Sequence, residues 1–415
     1  MKLRAFVATF LFVLITMVVS WVWTPSAIAF TEEQKIFLQS WRLVNQSYLD
    51  ESFNNQNWWK VRQRYLRRSL HDRQETYDAI DEMLASLDEP FTRLLRPDRY
   101  HNLQISTAGE LSGVGLQVNI NPETGHLEVI APLANSPAEA AGIGANDRIV
   151  KIDDVEADTL SLEDAAEKMR GKKGTIVTLL IQPAGKNENQ TRSVEIVRDR
   201  ISLNPVVAKL DDTVPDFPVG YLRLSEFSAN ATKEVKHAIK DLSQEGAKGY
   251  VLDLRNNPGG LLQAGIEIAR LWLDDGAIVY TVNRQGTQDS FNAIGKAITD
   301  APLVLLVNKG TASASEILAG ALQDNERATL IGQRTFGKGL IQSLFELPDG
   351  AGLAVTVAKY ETPNRHDIHK HGIEPDLVVE QESFLTYSRL ATEKDEQYQA
   401  AVNLLRGDGV LANAG

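Results

Sequence analysis

Three short segments hold residue types that could do chemistry together. Ser313 stands in Thr311-Ala312-Ser313-Ala314-Ser315-Glu316, where an apolar strand pattern gives way to a helix of small residues. A serine at such a junction sits at a helix N-terminus. There, free N–H groups and the positive end of the helix dipole favour an anion. A carbonyl attacked by the Ser313 hydroxyl would develop its negative oxygen beside the Ala314 N–H. Ser313-x-x-Glu316 is also a plain capping box, and on this segment alone that is the simpler reading.

The second segment is Asp253-Leu254-Arg255-Asn256-Asn257-Pro258-Gly259-Gly260. A Pro-Gly-Gly turn between a strand and a helix exposes backbone N–H groups with no side chain in the way, and could supply a second oxyanion donor. An ordinary tight strand-to-helix turn explains it equally well. Asp253 and Arg255 at the strand end could form a charge pair that holds the loop. The third segment is Gly332-Gln333-Arg334-Thr335-Phe336-Gly337-Lys338-Gly339, followed by Gln342. It completes G-x-x-x-x-G-K, but Gly339 replaces the Ser or Thr that would hold Mg²⁺, and the segment runs towards a hairpin rather than a helix. Taken alone it reads as a loop with a solvated lysine. As a base, Lys338 would need burial, which disfavours the ammonium by up to about 3–5 pKa units. Phe336, Leu340 and Ile341 could wall such a pocket. A neutral lysine can take the serine proton. Gln342, four residues on, would share a strand face with Lys338 and could orient its amine.

Composition closes other routes. The 415-residue chain has no Cys, so disulfides, thiolate metal sites and thiol nucleophiles are excluded. Its formal net charge of -12 does not suit a basic nucleic-acid binder. No G-x-S-x-G, H-E-x-x-H or G-x-G-x-x-G pattern is present. His366, His369 and His371 cluster near Asp367, but their spacing matches no metal motif, so no metal is assigned and the segment reads as a polar loop.

Several different element patterns must position these residues. Lys2 and Arg4, then 19 uncharged residues from Ala5 to Trp23, then Pro25 and Ala27-Ile28-Ala29, read as a secretory signal peptide over residues 1–29. The alternative is a retained anchor, since the apolar run nearly spans a bilayer. Residues 30–103 look helical, with capping boxes at Thr31/Gln34 and Asp72/Glu75, and nothing in them looks catalytic. Residues 104–199 form a β-rich unit with two short helices. It holds strands near 116–120, 127–130, 148–152 and 175–182, and a helix capped by Ser161 and stopped by Gly171. Residues 200–385 alternate apolar strands (219–224, 249–254, 277–282, 302–307) with helices (230–243, 261–274, 313–323). That argues a parallel or mixed α/β core. Asp349-Gly350 joins a hairpin of 340–347 and 353–360, and residues 386–415 form a polar, helical tail.

The chain resembles the carboxyl-terminal processing (tail-specific) proteases, most closely the cyanobacterial and plastid type. The resemblance covers nearly all of the sequence beyond residue 29. It is carried by Leu87-Asp88-Glu89-Pro90-Phe91-Thr92, the glycine-rich start at Gly113, residues 253–260, Thr311-Ala312-Ser313-Ala314-Ser315-Glu316, and Gly337-Lys338-Gly339 with Gln342. The loop 364–371 departs from the expected pattern. The resemblance implies a multi-domain α+β chain: a helical N-terminal region, a PDZ domain, and an α/β protease core of the ClpP/crotonase superfamily. It implies a Ser-Lys dyad, with Ser313 as nucleophile, Lys338 as general base and Gln342 positioning the lysine. Gly259 and Ala314 would be the oxyanion donors, and Asp253, Arg255 and Glu316 supporting residues. Gly113, Val114, Gly115 and Leu116 would hold a bound C-terminus, with Arg170 sensing it or simply capping its helix. No cofactor is implied. The expected activity is endoproteolytic removal of C-terminal tails, in the thylakoid lumen or periplasm, from a partner such as the photosystem II reaction-centre precursor. A general tail-specific protease and a non-catalytic PDZ tail binder are the alternatives.

Overall fold

Thr31 opens the first helix as the sequence pattern requires. Its hydroxyl accepts from Gln34 N–H, and the Gln34 side chain accepts from Thr31 N–H, both at 3.2 Å. The computed structural model describes residues 30–407 except 134, 187–189, 214–215, 287 and 382–388. The expected signal segment therefore lies outside the described residues, as do 386–388 and 408–415 of the expected C-terminal tail, whose described part holds helix Glu396–Leu405. Helix Glu32–Ser47 buries Phe37, Trp41 and Val44 on one face, as their spacing demands. Helices Trp58–Leu66 and Arg73–Ala85 add Val61, Tyr65, Ile80 and Met83 to the same cluster. Leu347, Ala351, Leu353 and Val355 complete that cluster from a distant hairpin. The helical region thus has no separate core; it packs its apolar face onto the sheet that holds Leu353 and Val355.

Strand Arg93–Leu95 ties the two further, pairing Arg93 with Ala354 and Leu95 with Gly352. It is the edge of a five-stranded antiparallel sheet that includes Gly352–Glu361, Ala277–Asn283, Gln288–Asn292 and Leu340–Glu346. Helix Pro97–Ala108 then leads into the β-rich unit. There a six-stranded antiparallel sheet runs Leu116–Ile120, Leu127–Pro132, Arg148–Ile152, Ile176–Gln182, Arg192–Val197, with Val155–Glu156 pairing Arg148–Ile152. Leu116–Ile120 is its edge strand. The short strands Glu110–Gly113 and Asp199–Ser202 pair where the chain enters and leaves this unit.

The core is a second six-stranded sheet in the order Val206–Asp211, Val219–Leu224, Gly249–Asp253, Leu303–Val307, Thr329–Gly332, Leu377–Val378. The first pair is antiparallel and the rest parallel. All five residues of Leu303–Val307 are buried, because helices cover both faces and a parallel strand then needs no polar side. Helices Ala231–Gln244, Leu262–Ala269 and Ala314–Asp324 cover one face, and Glu396–Leu405 the other.

That last helix is fastened by charge. Asp395, its N-cap, accepts from Arg255 at 2.8 Å through each carboxylate oxygen, and Gln397 accepts from the same guanidinium at 3.0 Å. Arg255 also grips Asp253, at 2.7 and 3.0 Å, and Asp253 accepts from the Tyr221 hydroxyl at 2.7 Å. All three charged side chains are buried. Removing one partner of such a cluster leaves a charge without compensation, at a cost of about 3–5 kcal/mol. Asp395→Ala is therefore expected to lower the melting temperature and to raise amide exchange in Glu396–Leu405; an unchanged melting curve would show that Asp253 alone satisfies Arg255.

Candidate active site

Ser313 adopts φ 58° and ψ -118°, a backbone shape that side-chain-bearing residues rarely take. Such strain costs about 1–3 kcal/mol and persists only where surroundings fix it. Here both backbone groups are fixed. The Ser313 N–H donates to Glu316 Oε2 at 2.8 Å, and its carbonyl accepts from Ile317 N–H at 3.0 Å and the Tyr360 hydroxyl at 3.1 Å. The kinked turn carries the hydroxyl away from the helix axis into a cleft. Ala314 opens the helix, so its N–H has no acceptor within it.

Glu316 is the centre of the construction. Its fully buried carboxylate accepts from Thr335 Oγ1 at 2.5 Å, Gly337 N–H at 2.7 Å, Lys338 N–H at 2.9 Å and Ser313 N–H. Burial pushes its carboxyl above the ordinary value while these four donors pull it down, and burial prevails. The same Tyr360 hydroxyl that reaches the Ser313 carbonyl also reaches that of Lys338. The capping-box reading and the functional reading of Ser313-x-x-Glu316 are thus one feature: the carboxylate that caps the turn also holds the lysine loop.

Lys338 and Ser313 line one cleft of about 580 Å³, with Gly259, Ala314, Gln342 and Tyr360. No hydrogen bond joins the Lys338 amine to the Ser313 hydroxyl among the described residues. Burial lowers the lysine pKa from its usual value, and the Arg93 guanidinium lowers it further, against the opposing carboxylates of Glu89 and Glu316. The apolar wall keeps Leu340 and Ile341 of the sequence expectation but not Phe336. Phe336 is 57 % exposed and shelters nothing, because Gly337 turns back to Glu316 and sends the preceding ring outward. Phe91 takes its place, with the Lys338 amine 5.0 Å from its ring centre.

Gln342 shares the cleft with Lys338, but its amide finds another partner. Lys338 lies before strand Leu340–Glu346, and opposite Ile341 and Gln342 the facing strand carries one extra residue, Val357, which shifts the register there. The Gln342 amide instead donates to Thr356 Oγ1, directly across the ladder, at 3.4 Å.

Gly259 closes the cleft opposite. At φ 100°, a Cβ there would sit 2.7 Å from the Ala312 carbonyl and 2.9 Å from Ser313 Cβ, so only glycine lets the two turns meet. Its N–H donates to Asn257 Oδ1 at 2.9 Å rather than into the cleft. Asp253 and Arg255 stand beneath this turn, in the buried cluster already described. Gly339 is a similar case, for a Cβ would meet His369 N at 2.5 Å. The loop with His366, His369 and His371 therefore braces the lysine loop by its backbone. No group of three metal-ligating side chains occurs among the described residues.

In the β-rich unit, Gly113 ends strand Glu110–Gly113, Val114 is buried, Gly115 takes φ 81°, and Leu116 begins the free-edged strand. Arg170 forms a backbone bridge to Gly113, and its guanidinium donates to Asn102 of helix Pro97–Ala108 at 3.2 Å. The sequence reading missed Glu89, Phe91, Arg93, Thr356, Tyr360 and Asp395. Periodicity carries no signal for them. Only the motif around Phe91 stood out, and nothing in it said which surface it would face.

Family models match the chain twice: one described as peptidase family S41 over residues 218–379, and a PDZ domain over 102–182. A carboxyl-terminal-processing protease of Synechocystis is 66% identical over 390 residues, spanning 94% of this chain and 91% of the relative. A chloroplastic C-terminal processing peptidase of Tetradesmus obliquus is 44% identical, over 85% and 79% of the two chains. A solved photosystem II D1 C-terminal processing protease is 40% identical with a TM-score of 0.56, covering 89% of this chain and 100% of its own.

Glu316→Gln keeps the size but turns an NH₂ towards N–H donors. It is expected to reduce kcat/KM by about 10²-fold or more, since both reacting segments lose their shared anchor; steady-state kinetics retaining parental turnover would refute that anchoring role.

Proposed function

The chain belongs to the carboxyl-terminal-processing proteases of peptidase family S41, serine-type peptidases, and on that premise we propose that Ser313 is its nucleophile and Lys338 its general base. The observation that carries this assignment is the single cleft holding both side chains, with the lysine depressed by burial. A neutral Lys338 takes the proton as the Ser313 oxygen attacks the scissile carbonyl, and returns it to the leaving amine. Water then attacks the acyl-serine with Lys338 again accepting the proton, which it passes to the departing Ser313 oxygen. The Ala314 N–H faces the developing oxyanion. Gly259 is the second donor, and to serve it must exchange Asn257 Oδ1 for that oxygen. Gln342, which lines the same cleft and is held by its bond to Thr356 Oγ1, is the residue that positions the lysine.

The domain division we adopt is 30–103 helical, 104–199 PDZ and 200–385 protease core. The substrate is a protein with a free C-terminus. Its tail adds a strand to the free edge of Leu116–Ile120, with the carboxylate at the turn of Gly113 and Gly115. The relative that acts on photosystem II D1 supports the reaction-centre precursor as that substrate. The signal-like residues 1–29 and the chloroplastic relatives support export, to a thylakoid lumen or periplasm. No described helix is long and apolar enough to cross a membrane. A tail binder without catalysis does not fit a chain of this family.

Incubation of the protein with a tailed substrate, read by mass spectrometry, is expected to show one cut near the C-terminus. Ser313→Ala should abolish the cut and keep the affinity for the tail; cleavage by that variant would remove Ser313 from the role. Lys338→Arg should be inactive, because a guanidinium stays protonated. Since the neutral amine is the active form, kcat/KM should climb with pH, and the midpoint should lie below the ordinary lysine value because the folded pKa is lowered. A profile centred at or above that value would contradict the burial argument.

A further inference from the structure

We propose that the segment 89–93, which belongs to the helical N-terminal region, is a positioning element of the active site: the Glu89 carboxylate fixes Phe91 against the Lys338 amine and the Thr356 hydroxyl against the Gln342 amide, while Arg93 faces the same cleft. The inference rests on the reading of Lys338 as the base and extends it to a part of the chain with no chemistry of its own.

The geometry is a closed set of bonds. Glu89 Oε1 accepts from Phe91 N–H at 2.6 Å. Glu89 Oε2 accepts from Thr92 N–H at 3.0 Å, and from the Thr92 and Thr356 hydroxyls at 2.8 Å each. Thr92 Oγ1 in turn accepts from Thr356 N–H at 3.1 Å. Both threonines are buried, at 3 % and 1 % exposure, so water cannot stand in for these partners. One carboxylate therefore sets two things. It turns the chain so that the Phe91 ring lies 5.0 Å from the Lys338 amine, which dries that amine. It also uses the donor of Thr356 Oγ1, leaving that oxygen's lone pair to accept from Gln342. Beyond the turn, the Arg93↔Ala354 pairing places Arg93 at the cleft wall, and both residues line it with Phe91.

The charges facing Lys338 come from two elements: Arg93 and Glu89 from this segment, and Glu316 from helix Ala314–Asp324; Tyr360, on a third, adds a neutral hydroxyl. Arg93 opposes the ammonium and the carboxylates favour it. A turn that merely held the fold would not affect the acid limb of the rate profile, whereas a positioning element must.

The test is the pH dependence of kcat/KM, with a tailed peptide, for Glu89→Gln, Glu89→Asp and Arg93→Met in the full chain. Glu89→Gln removes a charge that favours the ammonium and one acceptor. The ascending limb should move to lower pH while kcat falls by about 10²-fold with a smaller change in KM. Glu89→Asp, which keeps the charge, should recover the parental limb and part of the rate. Arg93 is exposed, so Arg93→Met should fold normally and move the limb to higher pH, by on the order of half a unit, less at high salt. Should Glu89→Gln fail to fold, the Arg93 shift still decides. Limbs that stay in place, or losses seen only in melting temperature, overturn the proposal. Retained turnover in Lys338→Arg would overturn the base assignment instead, whatever the Glu89 variants do.

Discussion

A single buried carboxylate, that of Glu316, holds the serine turn and the lysine loop together. Its four donors come from the serine turn and from the lysine loop, two segments also joined by the Phe336 N–H donating to the Thr311 carbonyl at 3.0 Å. A hydrogen bond to a charged group contributes about 1.5–3 kcal/mol, so the set offsets both the strain at Ser313, about 1–3 kcal/mol, and the cost of burying the charge. Tyr360 adds a second clasp on the same two segments from the opposite side, through their carbonyls. Ser313 can therefore occupy a backbone conformation that no isolated helix start would choose.

The glycine turn is fixed differently. Nothing charged touches Gly259 itself. Its place is set by close approach, since any side chain would overlap the Ala312 carbonyl, and by the strand end beneath it. That strand end is anchored through Asp253 and Arg255 to Asp395, on the N-terminal side of helix Glu396–Leu405. A helix on the far face of the sheet thus steadies the near-face turn. The Arg255 guanidinium, with its planar fork, can serve both carboxylates at once, which a lysine ammonium could not do.

The electrostatics at Lys338 are a contest that burial wins. Two carboxylates, Glu89 and Glu316, favour the ammonium, while desolvation and Arg93 oppose it. Glu316 spends its lone pairs on four donors, so it anchors the lysine backbone more than it attracts the amine. The helical N-terminal region supplies much of the apolar cover. Its cluster with Leu347, Ala351, Leu353 and Val355 explains why it is able to, because the two cannot be parted without exposing a shared core.

The strands and helices of the core were legible because apolar runs and caps are local. Leu303–Val307, Ala314–Asp324 and the Ser161-capped helix Leu162–Met169 fall within a residue or so of their patterns. The short strands Thr329–Gly332 and Arg93–Leu95 were not, since four or three residues show no period. Ser313, Lys338, Gly259 and Glu316 were nameable from residue type and order; the structure gathers the first three at one cleft and buries Glu316 behind it. The partner of Gln342 and the shelter of Lys338 were decided only in three dimensions. An extra residue, Val357, in the facing strand sets Thr356 opposite Gln342, and the ring that covers the lysine comes from Phe91, far away in sequence. Local pattern fixes which face a side chain takes within its own element. What that face meets depends on how distant elements pack, and no period in the sequence records it.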